Sequence, residues 1–177
     1  MITCWAGYCF IMYHPELKNL LDVGCSPDTI SHSIVVSKRA LAIAKRTHIK
    51  VDCGLVRLGA LLHDIGRSKT QGIGHAIIGA DLAKSLGFFK PVIDIIEHHI
   101  GAGITASEAE RLGLPKRDYL PLTPEEKIVS YADNLTSGVE HMSFSHAFDK
   151  LTNILGAKHE GLELFRKQHL EVLSWMR

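Results

Sequence analysis

The spacing of apolar residues along this sequence is typical of α-helices. Apolar residues recur at three- and four-residue intervals along nearly the whole chain, and no run of strict polar–apolar alternation is long enough to predict a strand. N-cap residues mark helix starts at Ser26, which precedes Pro27, at Asp52, and at Thr123, which precedes Pro124. The pattern predicts an all-α fold of about eight helices.

No internal repeat, low-complexity tract or linker divides the chain, so residues 1–177 are expected to form a single domain. We expect a core over about residues 27–137, with C-terminal helices across residues 144–175 packing on it. Residues 1–13 are apolar and uncharged, but they lack a basic region and are too short to cross a bilayer as a helix. A packed segment is expected there, and no membrane association.

Charge and cysteine content exclude several classes of protein. The net charge of +1 gives no large basic surface for nucleic acid. The four cysteines form no Cys-x-x-Cys pair and are too sparse for a disulfide scaffold. Reduced thiols in a cytoplasmic protein are therefore expected.

The six residues Leu-Leu-His-Asp-Ile-Gly, positions 61–66, place His63 and Asp64 at the end of an apolar run. A carboxylate removed from water is costly unless a cation or several donors meet it. One explanation is a bound metal. The other is an ordinary helix C-terminus, where histidine is favourable near the last carbonyls and Gly66 ends the helix.

Further histidines and one aspartate fall on the apolar faces of other predicted helices. His32 shares a face with Val36, His75 begins a helix, His98 and His99 lie in an isoleucine-rich helix, and Asp133 follows Val129 by one turn. Singly, each has an ordinary explanation, such as a buried core histidine. Together with His63 and Asp64 they supply nitrogen and oxygen ligands without sulfur, which suits Mn²⁺, Fe²⁺, Ni²⁺, Mg²⁺ or Zn²⁺.

The ordered set resembles the HD-domain phosphohydrolase superfamily. His32, His63-Asp64 and Asp133 match its H…HD…D pattern, and residues 63–66 are its HDIG variant. His75, the Glu-His-His run at 97–99 and the Ala-Asp-Asn-Leu run at 132–135 extend the likeness to the HD domains of ribonuclease Y, HD-GYP phosphodiesterases and dinucleoside tetraphosphate hydrolases. The resemblance spans roughly residues 27–137.

The resemblance implies an all-α core that holds one or two divalent ions. The first ion would be bound by His32, His63, Asp64 and Asp133. Asp64 would bridge to a second ion, completed by His75 and by His98, His99 or both. The Gly-Tyr-Pro motif of the cyclic-dinucleotide enzymes and the RNA-binding segments of ribonuclease Y are missing, so neither specialised substrate can be assumed.

The expected chemistry is hydrolysis of a phosphoester or phosphoanhydride bond, because paired cations activate a water and neutralise charge on phosphoryl oxygens. Arg67 and Lys69 follow the catalytic Asp64 and are candidates to hold a phosphate, although both could be solvated loop charges. The expected substrate is a nucleotide or another small phosphorylated metabolite. The alternatives are a di-iron oxygenase on the same ligand set and a non-catalytic, metal-binding regulatory module. The metal, the substrate and whether the chain forms a homo-oligomer stay open.

Overall fold

The structure, a computed structural model, describes residues 15–176, so the apolar segment 1–13 lies outside the described residues. Within that range the chain forms nine α-helices, one 3₁₀ turn and one hairpin of two short strands, which confirms the all-α prediction. None of the described helices is long and apolar enough to span a membrane. The elements are α1 (Pro15–Asp22), α2 (Pro27–Ala44), α3 (Cys53–Leu62), the 3₁₀ turn (Ile65–Ser68), α4 (His75–Ser85), α5 (Lys90–His98), α6 (Ala106–Arg111), α7 (Pro124–Asn134), β1 (Thr136–Ser137), β2 (Glu140–His141), α8 (Phe144–Leu155) and α9 (Glu160–Trp175).

Side-chain caps begin the three central helices where the sequence predicts them. Ser26 Oγ accepts from the Thr29 amide at the start of α2, and Asp52 accepts from two amides of α3. At α7, Thr123 and Glu126 form a reciprocal capping box. These caps satisfy amides that have no partner inside the helix, so they fix where each helix begins.

Helices α2, α3 and α7 pack together around the largest apolar cluster of the described residues. Its fully buried members include Val36, Val56, Ile128 and Val129. Helix α5 packs on α3 and α7 through Ile95. The C-terminal ends of α3, α5 and α7 are thereby brought close to one another and to the first half of α2.

The C-terminal helices share this cluster. Phe165 of α9 is 1% exposed, and its ring lies against the rings of Phe144 and Tyr131. Ala147 of α8 and Val172 of α9 belong to the same apolar cluster as Val36. The two helices together span the residues 144–175 over which C-terminal helices were expected.

The buried face of α4 differs from the apolar stripe that periodicity predicts. Ile77, Ile78, Leu82 and Leu86 are only partly buried or exposed, and the fully buried positions are small or polar: His75, Ala76, Gly79, Ala80 and Ala83. The physical reason is close packing, because α4 lies directly against the 3₁₀ turn and α5. Small side chains permit that approach, whereas larger ones are displaced to the flanks.

A short hairpin after α7 was not predicted. Thr136 pairs with His141 and Ser137 with Glu140, with Gly138 at a φ of +58° in the turn. Arg39 of α2 anchors the hairpin by donating to the carbonyl of Met142 at 2.8 Å and to that of Leu135. Strands of two residues are too short to show alternation, so the sequence pattern could not have revealed them.

Gly66 is the point of closest contact between the 3₁₀ turn and α4, and it generates a prediction. A methyl group at Gly66 would lie 1.9 Å from the His75 carbonyl oxygen and 2.6 Å from the Gly79 amide nitrogen. Because these are backbone atoms, the two elements would have to separate. Gly66→Ala is expected to lower the free energy of unfolding by about 3 kcal/mol.

Urea-induced unfolding of metal-free protein measures this change. Gly74→Ala is the matched control, since a methyl group there would meet no atom within 4 Å. A Gly66→Ala protein as stable as the Gly74→Ala protein would contradict the assigned packing.

Candidate metal centre

Four imidazoles and two carboxylates meet where the helix ends converge. His32 comes from α2, His63 and Asp64 follow α3, His75 is the first residue of α4, His99 follows α5, and Asp133 lies near the end of α7. His63 is fully buried, and Asp64, His75 and His99 are each at most 4% exposed. Sequence reasoning named all six of these residues, and the structure brings them together.

Each of the four imidazoles is oriented by a main-chain carbonyl. The Nδ1 atoms donate at 2.7–2.9 Å to the carbonyls of Gly138 (His32), Ala60 (His63), Gly72 (His75) and Ile96 (His99). A neutral imidazole carries only one N–H, so a proton on Nδ1 leaves Nε2 as a lone pair. Metal-binding histidines are commonly held in this way.

The Nε2 atoms of the four imidazoles point into the cluster. The Nε2 atoms of His75 and His99 lie 3.1 Å apart. His63 Nε2 is buried and has no hydrogen-bond partner among the described residues. Nitrogen atoms at this separation are stable only with a proton or a cation between them, so the residues present fit a metal ion.

Asp64 lies between two groups of ligand atoms. Its Oδ1 is 3.1 Å from His75 Nε2 and 3.6 Å from His99 Nε2. Its Oδ2 is 3.7 Å from His63 Nε2 and 4.0 Å from His32 Nε2. On that second side, Asp133 Oδ1 lies 2.9 Å from His32 Nε2 and 3.5 Å from His63 Nε2.

Two overlapping sets of ligand atoms are therefore close enough to share an ion. The atoms of His32, His63 and Asp133 lie within 4.8 Å of one another, and so do those of His63, Asp64 and His99. One carboxylate reaches both sides of the cluster, so the arrangement can accommodate one ion or two.

The electrostatics of the cluster favour positive charge at its centre. Burial lowers the pKa of His63, but Asp64 and Asp133 outweigh burial and raise this pKa to about 9. Burial alone would raise the pKa of each carboxylate, but the neighbouring imidazoles hold both pKa values well below the usual range. Burial lowers the pKa of His99, which favours its neutral form. Two ionised carboxylates that attract a proton to His63 would attract a metal cation to the same position.

Arg67 extends the cluster toward an open cavity. The 3₁₀ turn places its Nε 2.7 Å from Asp64 Oδ2. We name the adjoining space of about 270 Å³ the first cavity; its lining includes His32, Arg67, Asp133, Asn134, Lys150, Leu151 and Phe165. Lys69 is exposed and does not line this cavity. A phosphate in the first cavity would meet Arg67 at the edge of the cluster.

His98, which the sequence could not separate from His99, does not join the cluster. Its Nδ1 lies 2.7 Å from Glu126 Oε2, and its Nε2 lies 3.7 Å from Glu97 Oε2. Glu126 is 5% exposed and also serves the capping box of α7. The two adjacent histidines therefore project to different sides of α5, and only His99 reaches Asp64.

Two features of the site escaped sequence reasoning. The carbonyl of Gly138 orients His32 from a hairpin that has no sequence signature. Lys150, Leu151 and Phe165 line the first cavity from α8 and α9, where no residue type signals a site. Only Asn134 had a usable signal, since it directly follows Asp133 on the helix.

Comparison with known proteins agrees with this geometry. The model of the HD domain family matches residues 29–138, which is more than half of the chain. An uncharacterized protein of Methanocaldococcus jannaschii is 47% identical over 150 residues, covering 83% of this chain and 86% of that protein. A tRNA (cytidine(56)-2'-O)-methyltransferase of Thermoplasma volcanium is 45% identical over 76% of this chain, but the match spans only 40% of the methyltransferase.

A solved structure shares the fold. The HD domain of the Listeria monocytogenes phosphodiesterase PgpH has a TM-score of 0.54 and 22% identity, covering 91% of this chain and 98% of that domain. The same domain has been solved in complex with cyclic-di-AMP. At this identity the likeness concerns the fold alone.

The different orientations of His98 and His99 generate a prediction about metal binding. His99→Gln removes an Nε2 from the cluster and is expected to weaken binding of Mn²⁺ at least about tenfold. His98→Gln, the matched control, is expected to retain wild-type affinity and to lose only about 1 kcal/mol of stability with the Glu126 contact.

Calorimetric titration of metal-free protein with Mn²⁺ measures both affinities, and circular dichroism verifies that each variant is folded. Equal losses of affinity in the two variants would contradict the assignment of His99 over His98.

Proposed function

The chain belongs to the HD domain family, and from this premise we propose that it is a metal-dependent phosphohydrolase. The observation that carries the proposal is the cluster of four imidazole Nε2 atoms and two carboxylates beside a cavity edged by Arg67. The reaction would be hydrolysis of a phosphoester or phosphoanhydride bond. We also propose that residues 1–177 form one domain, since α8 and α9 share the apolar cluster of the core.

We assign one ion to His32, His63, Asp133 and the Oδ2 side of Asp64. A second ion would be held by His75, His99 and the Oδ1 side of Asp64. The distances of Asp64 to both groups support its role as the bridge. When bound, such divalent ions lower the pKa of water and neutralise charge on phosphoryl oxygens. Nitrogen and oxygen ligands suit Mn²⁺, Fe²⁺, Ni²⁺, Mg²⁺ or Zn²⁺.

Arg67 would orient the substrate phosphate. Its guanidinium is planar and can donate to two oxygens at once, and the contact with Asp64 holds it at the edge of the first cavity. The contact also leaves the side chain only about one-third exposed, which limits its rotation. Lys69, the other sequence candidate, is exposed outside the cavity, so it would attract an anionic substrate from solution without contacting the bound phosphate.

A nucleotide or another small phosphorylated metabolite is the proposed substrate. The complex of the Listeria HD domain with cyclic-di-AMP supports a nucleotide, and the volume of the first cavity suits a small molecule. The methyltransferase activity of the Thermoplasma relative is not carried over, because the chain matches only 40% of that protein. A cytoplasmic location is proposed from the free thiols of Cys25 and Cys53.

Removal of the bridging charge tests the proposed function. Asp64→Asn is expected to lower kcat for hydrolysis of a nucleotide or phosphodiester at least about 100-fold, because both ions lose their shared carboxylate. Asp94→Asn is the control, since Asp94 pairs with exposed Lys90 on the outside of α5. The assay covers a panel of nucleotides and phosphodiesters with each divalent ion.

A folded Asp64→Asn protein that hydrolyses substrate at the wild-type rate would show that the site is misassigned. Bound iron together with substrate-dependent O₂ uptake would show that the protein is a di-iron oxygenase and not a hydrolase. Retained metal without turnover across the panel would identify a regulatory module instead.

Arg67 gives a separate prediction. Arg67→Gln is expected to raise KM about tenfold, because a charge-assisted contact to phosphate is lost while the metal ligands remain. Metal content, measured by elemental analysis, should equal that of the wild type. An unchanged KM would place the substrate phosphate away from the guanidinium.

A further inference from the structure

A second cavity lies beside the first one. It has a volume of about 240 Å³, and its apolar wall comprises Ile73, Ile100, Ile104, Leu112, Leu151 and Leu155. Asn134 and Leu151 line both cavities. The two spaces therefore adjoin at these side chains, one residue beyond Asp133 of the cluster.

Asn134 brings an unused hydrogen-bond donor to the boundary between the cavities. Its Nδ2 is shielded from solvent and has no hydrogen-bond partner among the described residues. A buried amide nitrogen without an acceptor is unfavourable, so native proteins rarely retain one without a reason. An acceptor on a bound molecule would satisfy this amide.

We propose that the second cavity binds the uncharged, largely apolar end of the substrate, and that Asn134 Nδ2 donates a hydrogen bond to an acceptor on that end. This inference rests on the proposed function, because it assumes that the phosphate end lies at the metal cluster. Asn134 would then be a specificity-determining residue, whereas Arg67 and the metal ligands would act on the phosphate.

The charges of the second cavity favour a neutral group. Its polar side chains besides Asn134 are Glu108 and His159, and His159 Nε2 lies 3.4 Å from Glu108 Oε1. Glu108 also pairs with Arg111. Both are thus already partnered, and the aliphatic wall offers no cation to a second phosphate.

Part of this wall lies outside the segment that the family model matches. Leu151 and Leu155 lie on α8, beyond residues 29–138, whereas the other four wall residues lie within that range. Discrimination between substrates would therefore depend in part on a helix outside the matched segment.

Binding of three non-hydrolysable phosphonates to Mn²⁺-loaded protein tests the inference by calorimetry. Methylphosphonate presents the anion alone, 2-phenylethylphosphonate adds an apolar ring, and phenacylphosphonate adds a carbonyl acceptor to that ring. The phenylethyl compound is expected to bind about tenfold more tightly than methylphosphonate. The phenacyl compound is expected to gain about fivefold more.

Two variants separate the parts of the site. Leu155→Trp fills the second cavity without touching the first and should abolish the gain from the ring, with methylphosphonate binding unchanged. Asn134→Leu removes the donor at similar volume and adds no charge beside the first cavity, so it should abolish only the gain from the carbonyl. Leu170→Trp, an exposed position of α9 that lines neither cavity, is the control.

The outcomes distinguish this inference from the proposed function. Equal affinities for methylphosphonate and the phenylethyl compound, or no binding of either, would overturn the role of the second cavity. A gain from the carbonyl that survives in Asn134→Leu would overturn the role of Asn134. If the three phosphonates bind with the expected ratios of affinity but no phosphoester of the panel is hydrolysed, the two-part binding site is supported and the proposed hydrolase function is contradicted.

Discussion

Compensation of the buried Asp64 carboxylate requires several elements of the fold to meet at one point. Asp64 is 3% exposed, and four imidazoles and one guanidinium surround its carboxylate within 4.0 Å. An ionised carboxylate in such a place is stable only if positive charge or donors compensate it. That compensation comes from elements far apart in sequence, so the helices must converge for the site to exist. The packing of the helices and the assembly of the cluster therefore depend on each other.

Carbonyl groups without an amide partner at helix ends orient two imidazoles of the cluster. The last carbonyls of an α-helix have no amide partner within the helix. His63 and His99 each follow a helix and donate from Nδ1 to a carbonyl of its last turn, at Ala60 and Ile96. A group that would otherwise need water is satisfied, and the imidazole is held in the tautomer that exposes Nε2 to the cluster. In the proposed assignment, a histidine placed directly after a helix is both a partner for the C-terminal carbonyls and a metal ligand. This joins the two explanations that the sequence left open for residues 61–66.

Features that neighbouring residues determine could be predicted from the sequence, whereas features that depend on distant residues could not. Caps at Ser26, Asp52 and Thr123 are local, so helix starts were predicted well. His98 and His99 are consecutive, so they point in different directions from the end of α5. Which of them faces the cluster depends on distant residues such as Glu126, and no local pattern shows this. Periodicity predicts that large apolar residues of α4 face the core. The close approach of the 3₁₀ turn instead selects small residues for the buried face, and this contact could not be predicted from the local sequence. The hairpin that positions His32 had no periodic signal at all.

The contact of Gly66 with α4 makes the packing on one side of the cluster very close. A side chain at Gly66 would strike backbone atoms of His75 and Gly79, and Gly79 itself lies against Ile96. His75 and His99, which we propose as metal ligands, therefore lie on elements that pack closely at Gly66 and Gly79. The cavities are lined instead by side chains of α8 and α9, such as Leu151 and Phe165. In the proposed assignment, metal binding depends on the closely packed elements, and substrate selection depends on the side chains that line the cavities.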